Sequence, residues 1–297
     1  MDEWKEIKVD TPQFELHAEI EQKHWWFTGR RKIMRSVIEQ LVPPDRKSVV
    51  LDVGCGTGGN IASLADGYRT IGIDTSEAAI SLAKQRFPDV EFLCGRAPQE
   101  LGEQMKDVQV VLLMDVLEHV PDDLLMFSEL LDSVKPGTWF LMTVPADLQL
   151  WSEHDVHFGH YRRYDLPRFE EIWSGQPVEC RLVSYCNTRL YPIVKSIRAR
   201  NRRRGTTSGK SGTDLHVPMA PMNWALDRVF SGESRRLVRA LHSRHRTSST
   251  AGVSLIAAVQ RKEGSVEIRH KSSEMIDHYD PVAGVYLSEQ SAAVAIS

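Results

Sequence analysis

The chain has 297 residues, 41% of them hydrophobic and 26% charged, and a net charge of −3. That length holds one large α/β domain or two small ones, and the composition is that of a globular protein. No apolar run reaches the length of a membrane span, the start Met1-Asp2-Glu3-Trp4-Lys5 has no signal-peptide core, and the four cysteines show neither metal-ligand nor disulfide spacing. A cytoplasmic protein is expected.

Residues 15–40 read as helical, because Ile33, Met34, Val37, Ile38 and Leu41 form a stripe at helical spacing; Pro43-Pro44 ends it. A first strand over residues 48–53 breaks at Gly54-Cys55-Gly56-Thr57-Gly58 into a helix from 59 to about 65. A second strand closes at Asp74, and Ser76 caps a helix over 77–86. After a short strand at 90–94 comes a nearly all-apolar one at 108–114, as a central strand covered on both faces requires. Pro121 is expected in the first turn of the next helix, which buries Leu124, Leu125, Phe127, Leu130, Leu131 and Val134 and stops at Pro136-Gly137. Residues 139–144 form a fifth strand. A polar, histidine-rich loop, a helix near 166–173 and strands at 179–185 and 252–259 complete the pattern. Strands and helices alternating at these lengths predict an α/β fold with a doubly wound, mainly parallel sheet.

Three glycines at alternate positions, between a strand and a helix, let backbone N–H groups approach a nucleotide-like ligand. Two acids narrow the ligand. Asp74, at the end of the second strand, suits the two hydroxyls of a ribose. Asp52 sets a negative charge beside the loop, which repels a pyrophosphate and suits an ammonium or a sulfonium. The segment resembles motif I of the class I S-adenosylmethionine-dependent methyltransferases. On that resemblance Gly54, Gly56 and Gly58, with Cys55 between them, approach the methionine portion of S-adenosyl-L-methionine, while Asp74 and its neighbour Thr75 take the ribose. Met114 and Asp115-Val116-Leu117-Glu118-His119-Val120 resemble the motif that lines the methyl end. The resemblance implies a Rossmann-like sheet of seven strands with the last one antiparallel. It also implies an acid after the third strand for the adenine. Arg96 stands there instead, so the adenine contact is left between the backbone of Arg96 and Ala97 and stacking by the guanidinium.

His24-Trp25-Trp26-Phe27 with Arg30-Arg31, and the run from Val144-Pro145-Ala146 to Tyr161-Arg162-Arg163-Tyr164, resemble a bacterial subgroup associated with cell-envelope and glycan biosynthesis. Methyl transfer needs alignment, exclusion of water and sometimes a proton acceptor. By position His119, His154, His160 and Tyr161 are the candidate catalytic residues. Trp26, Arg30, Arg162 and Arg163 are the candidate substrate contacts, the arginines as forks for a carboxylate or phosphate. Plainer roles stand beside these: Glu118 and His119 can hold a loop, the aromatics can be core, and the arginine pair can be structural. The histidines and aspartate of residues 153–160 match no strong metal signature, so no metal is expected.

Between Thr188 and Thr250, fourteen Lys or Arg stand against three acids, so that stretch carries +11 and the rest of the chain −14. Its arginine-rich amphipathic segments suit an anionic membrane surface or a phosphorylated lipid better than nucleic acid. The expected organisation is an N-terminal helical lid (1–45), a methyltransferase body (46–187 and 251–262), a basic helical insertion (188–250) and a tail without structure (263–297). The expected acceptor is an oxygen or nitrogen on a small molecule, sugar or lipid-linked glycan. The runners-up are O-methylation of a quinone precursor or natural product, and a non-catalytic protein that binds the cofactor for regulation.

Overall fold

The computed structural model describes residues 11–204, 216–243, 249–272, 279–280 and 285–286. Seven strands form one sheet: β1 (Asp45–Val53), β2 (Tyr68–Asp74), β3 (Glu91–Cys94), β4 (Val108–Met114), β5 (Trp139–Pro145), β6 (Val178–Cys186) and β7 (Ser254–Arg261), in the order β3-β2-β1-β4-β5-β7-β6. All neighbours are parallel except β7, which runs antiparallel to both β5 and β6. The expected seven-stranded α/β architecture is the one found.

Alternation along the strands splits the core into two layers. Val49, Leu51 and Val53 of β1, with Leu113, Phe140, Met142, Leu255 and Ala257, face one side of the sheet. There α5 (Asp123–Ser133) brings Leu124, Phe127, Leu130 and Leu131, and α7 (Leu166–Glu171) brings Phe169. Val50, Leu112, Met114, Leu141 and Ile256 face the other side, beneath α2 (Trp25–Leu41) and α4 (Glu77–Arg86). Asp52 has the parity of Val50, so its carboxyl is directed toward α2.

The N-terminal helical region is two helices, α1 (Thr11–Ile20) and α2, and not the single run its stripe predicts. The break is local chemistry: the His24 ring caps α2 by accepting from the Trp26 N–H at 3.2 Å. Pro121 stands outside α5 and not within its first turn, because the carboxylate of Asp122 is the cap, accepting from Leu125 N at 2.9 Å. The helix after the glycine loop, α3, is a single turn (Gly59–Ala62).

Three helices fill the connection from β6 to β7: α8 (Tyr191–Arg204), α9 (Ala220–Ser231) and α10 (Ser234–His242). They are anchored by specific bonds. Asn223 accepts from the backbone N–H of Trp25 (2.9 Å) and donates to the Lys23 carbonyl (2.7 Å), so α9 supplies a cap at the start of α2. Asp227, buried, accepts from Thr28 Oγ1 at 2.7 Å and pairs with Lys32. Buried Glu233 accepts from the N–H groups of Thr188 (2.8 Å) and Arg189 (3.1 Å), tying α10 to the end of β6.

Residues 263–272, the start of the segment expected to lack structure, lie along α5 and α7. There Arg269 N donates to Ser128 Oγ at 3.1 Å and Lys271 N to Asp122 at 3.0 Å. Residues 273–278, 281–284 and 287–297 of that segment lie outside the described residues. Among the described residues no helix is long and apolar enough to cross a membrane.

Candidate active site

The carboxyl ends of β1, β2, β4 and β5 meet under α2, and the site is built where they do. The glycine loop leaves β1 with Gly54, Gly56 and Gly58 all at positive φ (71°, 53° and 84°), a region side chains with a Cβ rarely adopt. A Cβ on Gly54 would meet Val116 Cγ2 at 2.7 Å, and one on Gly58 would meet the Phe92 ring at 2.7 Å. A Cβ on Gly56 would meet nothing within 4 Å. Gly56 therefore borders open space, while its two neighbours are held by packing. The N–H groups of Gly54 (2.8 Å) and Cys55 (3.1 Å) donate to the Ile73 carbonyl, and Gly56 N donates to Asp74 Oδ2 at 2.8 Å. The other oxygen of Asp74 accepts from Ser76 N (2.9 Å).

Asp52 is buried, and neither of its oxygens has a hydrogen-bond partner. Burial pushes its carboxyl up to about 7, against the pull of Arg30. A buried carboxyl without donors costs free energy unless something polar or cationic meets it. Arg30, on α2, pairs with Asp115 and lies 4.3 Å from the centre of the Trp26 ring. Asp115, just beyond β4, has φ 59° and also accepts from Thr143 Oγ1 at 3.0 Å.

Between these groups and the inserted helices lies a small cavity of about 20 Å³. Trp26, Ile33, Met34, Met114, Phe230 and Ile256 make its apolar wall; Arg30, Asp115 and Thr143 mark its polar end. Trp26, Arg30, Met114 and Asp115 were thus placed together by sequence, whereas Thr143 and Phe230 were not anticipated. Phe230 belongs to a segment with no motif, and only its contact with Gly29 and the cavity shows its part. Glu21 is another unanticipated residue. Buried at the end of α1, its carboxylate accepts from Thr57 Oγ1 at 2.9 Å and pairs with Arg86, closing the N-terminal helices onto the glycine loop. Thr75 and Arg96 are exposed at the ends of β2 and β3, with Ala97 half-buried beside Arg96.

Arg162 and Arg163 correct the sequence reading. Both are buried, and their terminal nitrogens bond to the protein itself. Arg162 donates to the carbonyls of Leu117 (2.9 Å), Val120 (2.7 Å) and Pro121 (2.8 Å), clamping the loop after β4. Arg163 donates to the Ala146 carbonyl at 2.9 Å and pairs with Asp155 at 2.7 Å. Neither presents a fork to a substrate anion. Of the candidate catalytic residues, none belongs to the cavity wall. His119 stands 4.6 Å from His160, ring to ring, and burial pushes it down to about 3. His160 Nδ1 is 3.0 Å from Asp155. His154 packs on Phe158, and burial holds it well below the ordinary histidine range. Tyr161 donates its backbone N–H to the Glu118 carbonyl at 2.8 Å.

The profile of the methyltransferase domain matches residues 26–179, from α2 to the start of β6 and more than half of the chain. The chain belongs to the methyltransferase-domain family. Among its relatives, a protein named "Probable S-adenosylmethionine-dependent methyltransferase" from Mycolicibacterium smegmatis is 29% identical over 50% of this chain and 56% of its own length. The ubiquinone biosynthesis O-methyltransferase of Coxiella burnetii is 30% identical over 44% of this chain and 61% of its own. The chain thus spans somewhat more than half the length of these relatives. Among solved structures, the plantazolicin methyltransferase BpumL aligns over 85% of this chain and 90% of its own at 12% identity and a TM-score of 0.49. The methyltransferase domain so identified contains β1 to β5; α8 to α10 and β7 lie beyond the matched residues.

Proposed function

We propose that this methyltransferase-family chain binds S-adenosylmethionine and transfers its methyl group to an oxygen on a small acceptor with an apolar body. The observation that carries the reading is the pairing of two features at the strand ends. One is a glycine loop open at Gly56 beside the donor-less carboxyl of Asp52; the other is the adjoining cavity with an apolar wall and a polar end. A sugar would strand its hydroxyls against Trp26, Met34, Phe230 and Ile256, whereas an aromatic or lipid-like body matches the apolar character of that lining. The relative acting in ubiquinone biosynthesis supports an acceptor of that character.

When bound, S-adenosylmethionine supplies an electrophilic methyl on a sulfonium, displaced in line by the acceptor. The chain's residues divide the work around it. Asp74, at the end of β2 beside the glycine loop, takes the ribose hydroxyls, and Asp52 offers negative charge to the cationic methionine end. Trp26 and Phe230 exclude water, which strengthens each electrostatic contact at the polar end. Asp115, held between Arg30 and Thr143, is the carboxylate placed to orient or receive the acceptor's proton.

Exposed Ile193 and Ile197 on α8 and Met222 and Trp224 on α9, set among arginines, support delivery of such an acceptor from an anionic membrane surface. The test is calorimetric titration with S-adenosylmethionine, followed by incubation with methyl-labelled cofactor and separate lipid and aqueous extracts. Cofactor binding weakened at least tenfold by Asp74→Ala, and label in a lipid-soluble product, are expected. Unchanged affinity in that variant overturns the ribose assignment, and label only in water-soluble products overturns the apolar acceptor.

A further inference from the structure

The loop after β4 and the loop before α7 bring together three side chains that the cavity does not use. Glu118 is 1% exposed, and neither carboxylate oxygen has a hydrogen-bond partner. His119 and His160 stand beside it, and one ligand atom from each of the three lies within 4.8 Å of the others. Both imidazoles are already oriented. His160 is hydrogen-bonded through Nδ1 to Asp155 at 3.0 Å, which puts the proton on Nδ1 and the lone pair on Nε2. The His119 ring packs edge-on against the His160 ring, with 4.6 Å between the ring centres.

A carboxyl wholly buried with no donor is a defect unless a cation or a proton belongs there. The guanidinium groups nearby pair with other acids, Arg30 with Asp115 and Arg163 with Asp155, and neither donates a hydrogen bond to Glu118. Two imidazoles and one carboxylate are the donor set of a three-ligand zinc centre with an open position. The Asp155 carboxylate holding the far side of the His160 imidazole is the supporting shell such centres use. Magnesium prefers an all-oxygen set. We propose that Glu118, His119 and His160 bind one divalent transition-metal ion, with Zn2+ the best match. Donors around zinc stand roughly 3.4 Å apart, so the three close by about an ångström on binding. His119, only partly buried, has room to make most of that movement.

The experiment uses the full chain, without an affinity tag and stripped of metal, and titrates Co2+, Zn2+ and Mg2+ while following the visible absorption of bound Co2+. One Co2+ per chain, displaced by Zn2+ and not by Mg2+, is expected. Glu118→Gln and His160→Asn should each weaken Co2+ binding at least tenfold at unchanged circular dichroism. If either variant unfolds, the partly exposed His119→Asn decides. No saturable Co2+ binding to the folded wild type, equal affinity in the folded variants, or uptake of Mg2+ alone overturns the proposal. The readout is metal uptake by itself, so a failure of methyl transfer leaves the result distinct.

Discussion

A carboxyl sealed at the end of β1 without a donor to its oxygens ionises only when something stabilises the charge, and Asp52 accordingly sits at about 7. The sign of its pH dependence follows. The folded chain holds a proton on Asp52 that the unfolded chain has already released, so this group makes stability fall as pH rises from about 4 to about 7. A cationic ligand reverses the balance, because it binds the ionised form. Affinity for S-adenosylmethionine should therefore rise about eightfold from pH 6 to pH 7.5, the change in ionised fraction for a group near 7. Asp52→Asn should bind more weakly and show a flat profile. Calorimetry across that range decides, and a flat wild-type profile would rule out Asp52 as the counter-charge. The turn after β1 was legible in the sequence because loop geometry is local: Gly54, Gly56 and Gly58 all take the positive φ that their spacing between a strand and a helix suggests. Arg162 and Arg163 were not, because an arginine pair in a polar loop looks the same whether it faces water or backbone carbonyls. Only the path of the loop after β4 decides that.

The β-strands were legible for a similar reason, since a seven-residue run at Val108–Met114 that is apolar but for Gln109 has no other stable place than the middle of a covered sheet. What escaped was how the helical elements lock together. The bond between α2 and α9 joins residues about 200 positions apart, and no local pattern announces Asn223 or Asp227 as partners of Trp25 and Thr28. The break before α2 escaped as well, because histidine is an uncommon cap. The lock has a functional consequence: α9 carries Phe230 into the cavity wall, so the insertion is part of the site and not an appendage. Asp227→Ala should cost about 1.5–3 kcal/mol, the range for a buried hydrogen bond to a charged group. Most of that belongs to Thr28, since Lys32 is largely exposed and its pair adds little. Urea unfolding measures the cost, and a parallel binding assay should show acceptor binding weakened more than cofactor binding. A loss of less than about 0.5 kcal/mol would show that α9 is held by apolar contact alone.

For the whole molecule, a net charge near zero conceals a basic segment on an acidic body, and the structure separates two uses of those arginines. Arg198 and Arg236 turn inward, Arg198 to the Leu150 carbonyl and Asp155, and Arg236 to the Tyr185 carbonyl and Glu233. Arg200, Arg203, Arg204 and Arg228 stay exposed, on the same helices as exposed Ile193, Ile197, Met222 and Trp224. Apolar side chains alone would be an unfavourable surface in water, and arginines alone would be an ordinary solvated face. The two together match an anionic lipid surface, where the apolar groups enter the headgroup boundary and each arginine contributes about 1 kcal/mol. Sedimentation with vesicles rich in phosphatidylserine should carry the chain down, and vesicles of phosphatidylcholine alone should not. High salt should release it, since the attraction is screened over about a Debye length. Replacing Arg203 and Arg204 by Gln should weaken binding about thirtyfold, the product of two such contributions. Trp224→Glu should weaken it without touching the cavity, because that side chain is not among the residues lining it. Equal sedimentation with both lipids, or no loss in either variant, would mean that the basic surface is only solvated.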